Sequence, residues 1–156
     1  MPTSSQPTSD TDPAGADRSP TLFEPAPLGP LTLRNRIIKA ATFEGMTPDG
    51  VVTEDLIGFH RRVAAGGAAM TTVAYLSIAP EGRTDSGCIL LVPGARDGLR
   101  RLTAAIHDEG ALAQAQIGHA GPVANASSNQ ARSLAPGRMF NPLGMRIVHG
   151  DHDHIV

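Results

Sequence analysis

The sequence is poor in the residues that announce most specialised chemistries. It holds one cysteine, Cys88, which excludes an internal disulfide framework and any multi-cysteine zinc site. Tryptophan is absent and aromatics make up 3% of the chain, too few for base-stacking platforms or aromatic-rich binding surfaces. With 13 basic and 15 acidic side chains the net charge is −2, so no basic field faces a phosphate backbone or an anionic membrane. No apolar run approaches the roughly 20 residues that span a bilayer. Met1 is followed by Pro, Thr, Ser and Gln, without the basic and apolar regions of a secretory leader. No G-x-G-x-x-G, Walker loop, G-x-S-x-G or H-E-x-x-H occurs. The expectation is a cytoplasmic protein with neither a nucleic-acid nor a membrane partner.

What is present is glycine and proline, 17 and 13 of them in 156 residues, 40% of which are hydrophobic. That length suits one domain, and that composition suits many turns rather than a helical bundle. From Pro2 to Pro20 no large apolar residue occurs. Such a stretch cannot bury enough surface to offset its ordering entropy, so residues 1–21 are read as a disordered tail and 22–156 as the folded part.

The folded part reads as alternating elements. Leu28 to Asn35 alternates around a Gly-Pro turn, a short hairpin, and Arg36 to Thr42 is a β-prone run. Thr53 stands where an N-cap belongs, with Glu54 and Asp55 after it, and Leu56, Phe59 and Val63 share one helical face before Gly66-Gly67 ends the helix. Gly66-Gly67 is therefore a C-cap and not a phosphate loop. Ala68 to Ile78 is nearly continuous in apolar and β-branched residues, a strand buried on both faces. A second helix is expected over Ala95 to Glu109, with Leu99, Leu102 and Ile106 on one face, and a third buried strand over Ala111 to Ile117. Pro122 to Gly144 reads as loop. Buried strands alternating with amphipathic helices predict right-handed βα units in a parallel sheet.

Ligands of parallel α/β folds gather at the carboxyl ends of the strands. Those ends are Ala40-Ala41-Thr42-Phe43, Val73-Ala74-Tyr75 and Gln116-Ile117-Gly118-His119. Small residues at two of the three leave room for a flat ligand, and the Gln116 amide can both donate and accept at the edge of a heterocycle. A strand-end glutamine can equally be structural. His149, His152 and His154 alternate with Asp151 and Asp153, and a solvated polar loop is the favoured reading over a metal site. Cys88 is read as a buried small residue.

The residues also carry a resemblance. LFEPAPLGPLTLRNRIIKAAT (Leu22–Thr42), AAGGAAMTTVAY (Ala64–Tyr75), PEGR (Pro80–Arg83) and QIGHAG (Gln116–Gly121) occur in order. Together they resemble the opening of the Old Yellow Enzyme family of FMN-dependent NAD(P)H:flavin oxidoreductases and 2,4-dienoyl-CoA reductases. The resemblance implies an α/β fold, the N-terminal portion of an eight-stranded (β/α)8 TIM barrel with an N-terminal hairpin. It implies FMN across the strand ends, with NADH or NADPH as reductant and an activated alkene or enoyl compound as substrate. Ala40, Ala41, Thr42, Ala74 and Gln116 would then be cofactor-binding, with Gln116 on the pyrimidine edge, where it tunes the hydride affinity of the flavin. His119 would lie close to the flavin and substrate, or else bond loop backbone. No residue is assigned a catalytic or metal-binding role.

The sequence departs from the family where many members carry Cys, Thr or His after the first barrel strand. An ungapped match puts Phe43 there. Either Thr42 takes the polar role after a small shift, or the flavin potential is set differently. Glu44 and Lys39 nearby read as supporting or surface charges. The family's substrate-binding histidine pair and its glycine-rich FMN phosphate loops have no counterpart before Val156. A TIM barrel takes about 250 residues. The expectation is an N-terminal piece of an oxidoreductase, from a truncated gene, a split subunit or a shortened chain. It would form a homo-oligomer or pair with a complementary barrel half. The alternatives are a non-catalytic remnant that needs such a half and an unrelated α/β binding domain.

Overall fold

Gly29, held at φ 57°, turns the chain between two three-residue strands, β1 (Ala26–Leu28) and β2 (Leu31–Leu33), which pair antiparallel. This is the expected hairpin. The computed structural model describes residues 21–141 and 146–148; residues 1–20 of the tail read over 1–21, and the alternating histidines, lie outside the described residues. Arg34 and Asn35 then fasten the hairpin beneath the sheet. The Arg34 guanidinium donates to the carbonyls of Ala64, Ala68 and Glu109, and the Asn35 amide donates to Gly67 O at 2.7 Å. Carbonyls at helix ends lack intrahelical partners, so one cation there satisfies several at once.

Strand β3 is only Ile38–Lys39, shorter than the run Arg36 to Thr42 suggested. It pairs parallel with Met70 and Thr71 at the start of the next strand, and the following residues leave the sheet as loop. The first helix, α1 (Glu54–Ala65), starts as expected: the Thr53 hydroxyl accepts from Leu56 N, and Gly67 takes a φ of 100° after the last turn. Its buried face is Leu56, Ile57, His60 and Ala64, with Phe59 and Val63 half-buried. The stripe is rotated from the expected one because Ala64, without bulk, lets the helix approach the sheet.

Strand β4 (Met70–Ser77) is buried along nearly its whole length and forms the spine of a parallel sheet. On one side it pairs with β3 and, further along, with the two-residue β5 (Ile89–Leu90), an element absent from the sequence reading. Helix α2 (Arg96–Asp108) follows a 3₁₀ turn at Pro93–Ala95 and buries Leu102 and Ile106. Strand β6 (Leu112–Gly118) covers the other side of β4. The order of hairpin, strand, helix, strand, helix, strand is the expected one, with β5 inserted.

Two corrections concern the last third. β6 was expected to be buried, yet Gln114 through Ile117 are exposed, because among the described residues β6 pairs with β4 alone and its outer edge is open. The stretch Pro122 to Gly144 is not all loop: it contains a 3₁₀ turn at Gly121–Val123, the four-residue α3 (Ala126–Asn129) and β7 (Met139–Asn141), which pairs antiparallel with β8 (Arg146–Val148).

The main core lies between sheet and helices, joining Leu56 and Ile57 of α1, Val73 and Leu76 of β4, Ile89, and Leu102 and Ile106 of α2. A smaller cluster of Leu33, Ala69 and Met70 closes the bottom against the hairpin. Among the described residues, the other face of the sheet carries no helix.

Candidate functional site

That uncovered face carries a cavity of about 500 Å³. Ile38, Ala40 and Ala41 line it from the β3 side, Thr72 from β4, and Gln114 through Ile117 from β6. The two-residue period of strands puts Gln114 and Gln116 on the same face of β6. The Thr72 hydroxyl donates to Gln114 Oε1 at 3.1 Å, which engages Gln114 in the wall. Gln116 is exposed and its side chain makes no hydrogen bond among the described residues, so its amide is available to a ligand edge. A second cavity of about 420 Å³ lies on the helix side, against Leu91, Arg96 and Leu99, and contains none of the expected site residues.

Of the five residues expected to hold a cofactor, Ala40, Ala41 and Gln116 are brought together in this wall. Thr42 and Ala74 are not part of it. Thr42 is exposed, its hydroxyl 3.4 Å from the Ala40 carbonyl, and the neighbouring Phe43 ring is exposed as well. Ala74 is buried at an irregularity of the β4–β6 ladder, where Ala74 and Tyr75 stand opposite Gln116 alone. Such a bulge bends the strand and re-aims its side chains, and it falls at the ligand end of the sheet.

His119 stands just past β6. Its Nδ1 accepts from Gly121 N at 2.9 Å, and its Nε2 lies 4.0 Å from Glu81 Oε1. The loop-bonding alternative thus describes one ring nitrogen, while the other points to the carboxylate of the PEGR segment. The imidazole lies flat on Gly82, where an added Cβ would fall 2.4 Å from the ring. Ala120 N and the Tyr75 hydroxyl both donate to the Gly82 carbonyl, at 2.8 and 3.4 Å. Two separated motifs are in this way stitched into one rim. Burial lifts the Tyr75 phenol above its ordinary pKa, with Cys88 adding to the effect, so the hydroxyl remains a donor.

Sequence reasoning missed Thr72 and Gln114 in the wall and His60 beneath the sheet. The strand period that places Gln116 also places Gln114, and applying it to β4 would have found Thr72. His60 has no such signal. It is fully buried, its Nδ1 2.7 Å from the Thr71 hydroxyl, and burial holds its pKa below the ordinary value. The Glu44 carboxylate opposes that shift and the Lys39 ammonium reinforces it. Lys39 and Glu44 form a nearly buried ion pair, which fits the supporting and not the surface alternative. Cys88 is fully buried, as expected. Among the described residues no group of three or more His, Cys, Asp or Glu is placed to hold a metal ion.

A parallel sheet with helices on one face, a hairpin under its strand starts and a polar-edged cavity on the other face defines a class: a segment of a (β/α)8 barrel with its ligand side at the strand ends. The chain belongs to the NADH:flavin oxidoreductase / NADH oxidase family, whose model matches residues 21–144. It is similar to the 4,4'-dithiodibutanoate disulfide reductase of Rhodococcus erythropolis, 59% identical over 132 residues that cover 85% of this chain and 33% of that protein. A metal reductase of Desulforamulus reducens is 40% identical over 74% of this chain and 17% of its own length. The chain therefore spans a third or less of these curated relatives. Among solved structures, 2-naphthoyl-CoA reductase in complex with 2-naphthoyl-CoA matches with TM-score 0.75 and 26% identity, over 83% of this chain and 22% of that one. Morphinone reductase in complex with tetrahydroNAD matches with TM-score 0.70 and 25% identity, over 88% and 38%. The Zymomonas mobilis homologue of old yellow enzyme, at TM-score 0.72 and 24% identity over 85% of this chain and 40% of that one, supports the barrel fold.

Proposed function

We propose that this chain supplies the ring-binding side of an FMN site in a reductase that takes electrons from NADH or NADPH. The observation that carries this reading is the convergence of Ala40, Ala41 and Gln116 on one cavity. The alanines offer a shallow wall without bulk, which suits a flat ring, and the Gln116 amide offers a donor and an acceptor to a heterocycle edge. Thr72 and Gln114 add a second polar pair on the same face. These residues fit FMN in kind: two small, two amide, one hydroxyl. When bound, FMN supplies hydride acceptance and delivery at its ring nitrogen. The protein's part is to seat the ring, to hold its edge by Gln116 and to keep His119 and Tyr75 at the rim.

The substrate proposed is an activated alkene or enoyl compound. An organic disulfide is a second candidate, because the 59%-identical relative is named for disulfide reduction. Cys88 is fully buried and takes no part in either. Its single thiol suits the cytoplasm, where we place the protein. The outer edge of β6, unpaired among the described residues, favours a further arm of the proposal, that the substrate and phosphate sides are supplied by a complementary barrel half. FMN titration followed by quenching of flavin fluorescence tests the reading. Gln116→Leu is expected to weaken FMN binding about tenfold, the worth of one good hydrogen bond. Equal affinity of the two proteins would remove Gln116 from the site. A wild-type chain that takes up no FMN, alone or with a barrel partner, would leave it a non-catalytic remnant.

A further inference from the structure

β3 ends at Lys39, yet Ala40 and Ala41, the next two residues, line the cavity. Strand pairing does not hold them there. Lys39 and Glu44 bracket the segment, and their side chains form an ion pair with 16% and 5% of their surface exposed. The same ammonium donates to the carbonyl of Thr72 on β4 at 3.3 Å and lies 5.3 Å above the ring of Phe59 on α1. One cation thus ties both ends of the segment to the central strand and to the first helix.

Stability alone is a poor account of this arrangement. A buried ion pair loses hydration that its mutual attraction hardly restores, so its net contribution to stability is small. Among the described residues, the second oxygen of Glu44, Oε2, is buried and without a hydrogen-bond partner, as is Nε2 of the buried His60. Buried polar atoms are rarely left so. A carboxylate placed for a full set of hydrogen bonds would not sit this way; one placed as the counter-charge of Lys39 would.

We propose that the Lys39–Glu44 pair is a positioning device that fixes the strand-end segment Ala40–Phe43 against the cavity and balances the charge beneath the ring seated there. The second half of this statement rests on the flavin reading; the first does not. Removing one member frees the segment and leaves the other charge uncompensated. The two removals act alike on the segment and oppositely on the potential of bound FMN, because a cation favours the reduced, more negative ring and an anion disfavours it. A role in packing alone would give no such opposition.

The test uses the whole chain and the variants Glu44→Gln and Lys39→Met, with Glu44→Asp and Lys39→Arg as conservative partners. Hydrogen exchange at the amides of Ala40 to Phe43, measured without flavin, is expected to quicken about tenfold or more in both removals while α1 amides keep their protection. Lys39→Arg restores slow exchange. With FMN bound, Glu44→Gln raises its potential and Lys39→Met lowers it. Unchanged exchange in Glu44→Gln overturns the positioning role, and potential shifts of one sign overturn the charge balance. If Glu44→Gln does not fold, Lys39→Met decides by the same exchange measurement, and unchanged exchange there overturns the positioning role. If the wild-type chain takes up no flavin while exchange still quickens, the flavin reading fails and the positioning role stands.

Discussion

At the scale of single residues, the sharpest constraint lies where the His119 ring covers Gly82. A methyl group at position 82 would fall 2.4 Å from His119 Cδ2 and 2.7 Å from Cγ. The ring cannot swing aside freely, since its Nδ1 is engaged by Gly121 N. Gly82→Ala is therefore expected to cost about 1–3 kcal/mol, the usual penalty for overpacking, measured as a lowered urea midpoint at constant slope. Adding His119→Ala should recover part of that loss; strictly additive losses would sink the steric account. His60 gives a second residue-level outcome. Burial lowers its pKa, so the unfolded chain takes up a proton near pH 6.5 while the folded one resists it. Its contribution to stability is thus present above that pH and lost as the pH falls below it. The melting temperature should drop as the pH falls below 6.5, and His60→Gln, which can still bond Thr71, should flatten that part of the profile. A profile identical in the two proteins would show that His60 is not its source.

At the scale of elements, the two long helices α1 and α2 were largely legible, and the short α3 and the edges of the sheet were not. Thr53, Glu54, Asp55 and the Gly66-Gly67 stop mark α1 by local chemistry, which needs no knowledge of the rest of the fold. The hydrophobic stripe was legible only approximately. Phe59 and Val63 outrank His60 and Ala64 on any apolar scale, yet close approach to β4 selects the smaller side chains and a histidine with a hydroxyl partner. β3 is two residues long because Ala40 and Ala41 leave the ladder and line the cavity, and no local signal separates a β-prone run that pairs from one that does not. Of the site, Gln116 and the alanines were legible as strand-end residues, whereas the Lys39–Glu44 pair depends on contacts between elements. The N-cap offers a measurable quantity. Thr53 accepts from Leu56 N at 3.2 Å and donates to Met46 O at 2.6 Å, so it ties the preceding loop to the helix as well. Thr53→Ala is expected to destabilise the chain by about 1–2 kcal/mol in urea unfolding, and Thr53→Ser by clearly less. Equal losses for the two would assign the effect to the methyl group.

At the scale of the whole molecule, the outer edge of β6 governs behaviour. Composition and periodicity could not distinguish a central strand from this one, since burial of Ala113 to Ile117 depends on what lies beyond them and not on their own sequence. Among the described residues that edge is unpaired, and Ile117 keeps 56% of its surface exposed. An unpaired strand beside exposed apolar surface is a template for another strand, which proteins ordinarily blunt with charge, proline or a covering element. β6 itself contains no charged residue and no proline. The chain by itself is therefore expected to associate through this edge, with a weight-average mass in sedimentation equilibrium that rises with concentration. Ile117→Lys places a charge on the strand and should shift the distribution toward monomer. A complementary barrel half should do the same by pairing with the edge, and it should protect the β6 amides from exchange. A chain that sediments as a monomer at every concentration, with β6 amides already protected, would show that the edge is covered by residues of its own and would remove the need for a second half.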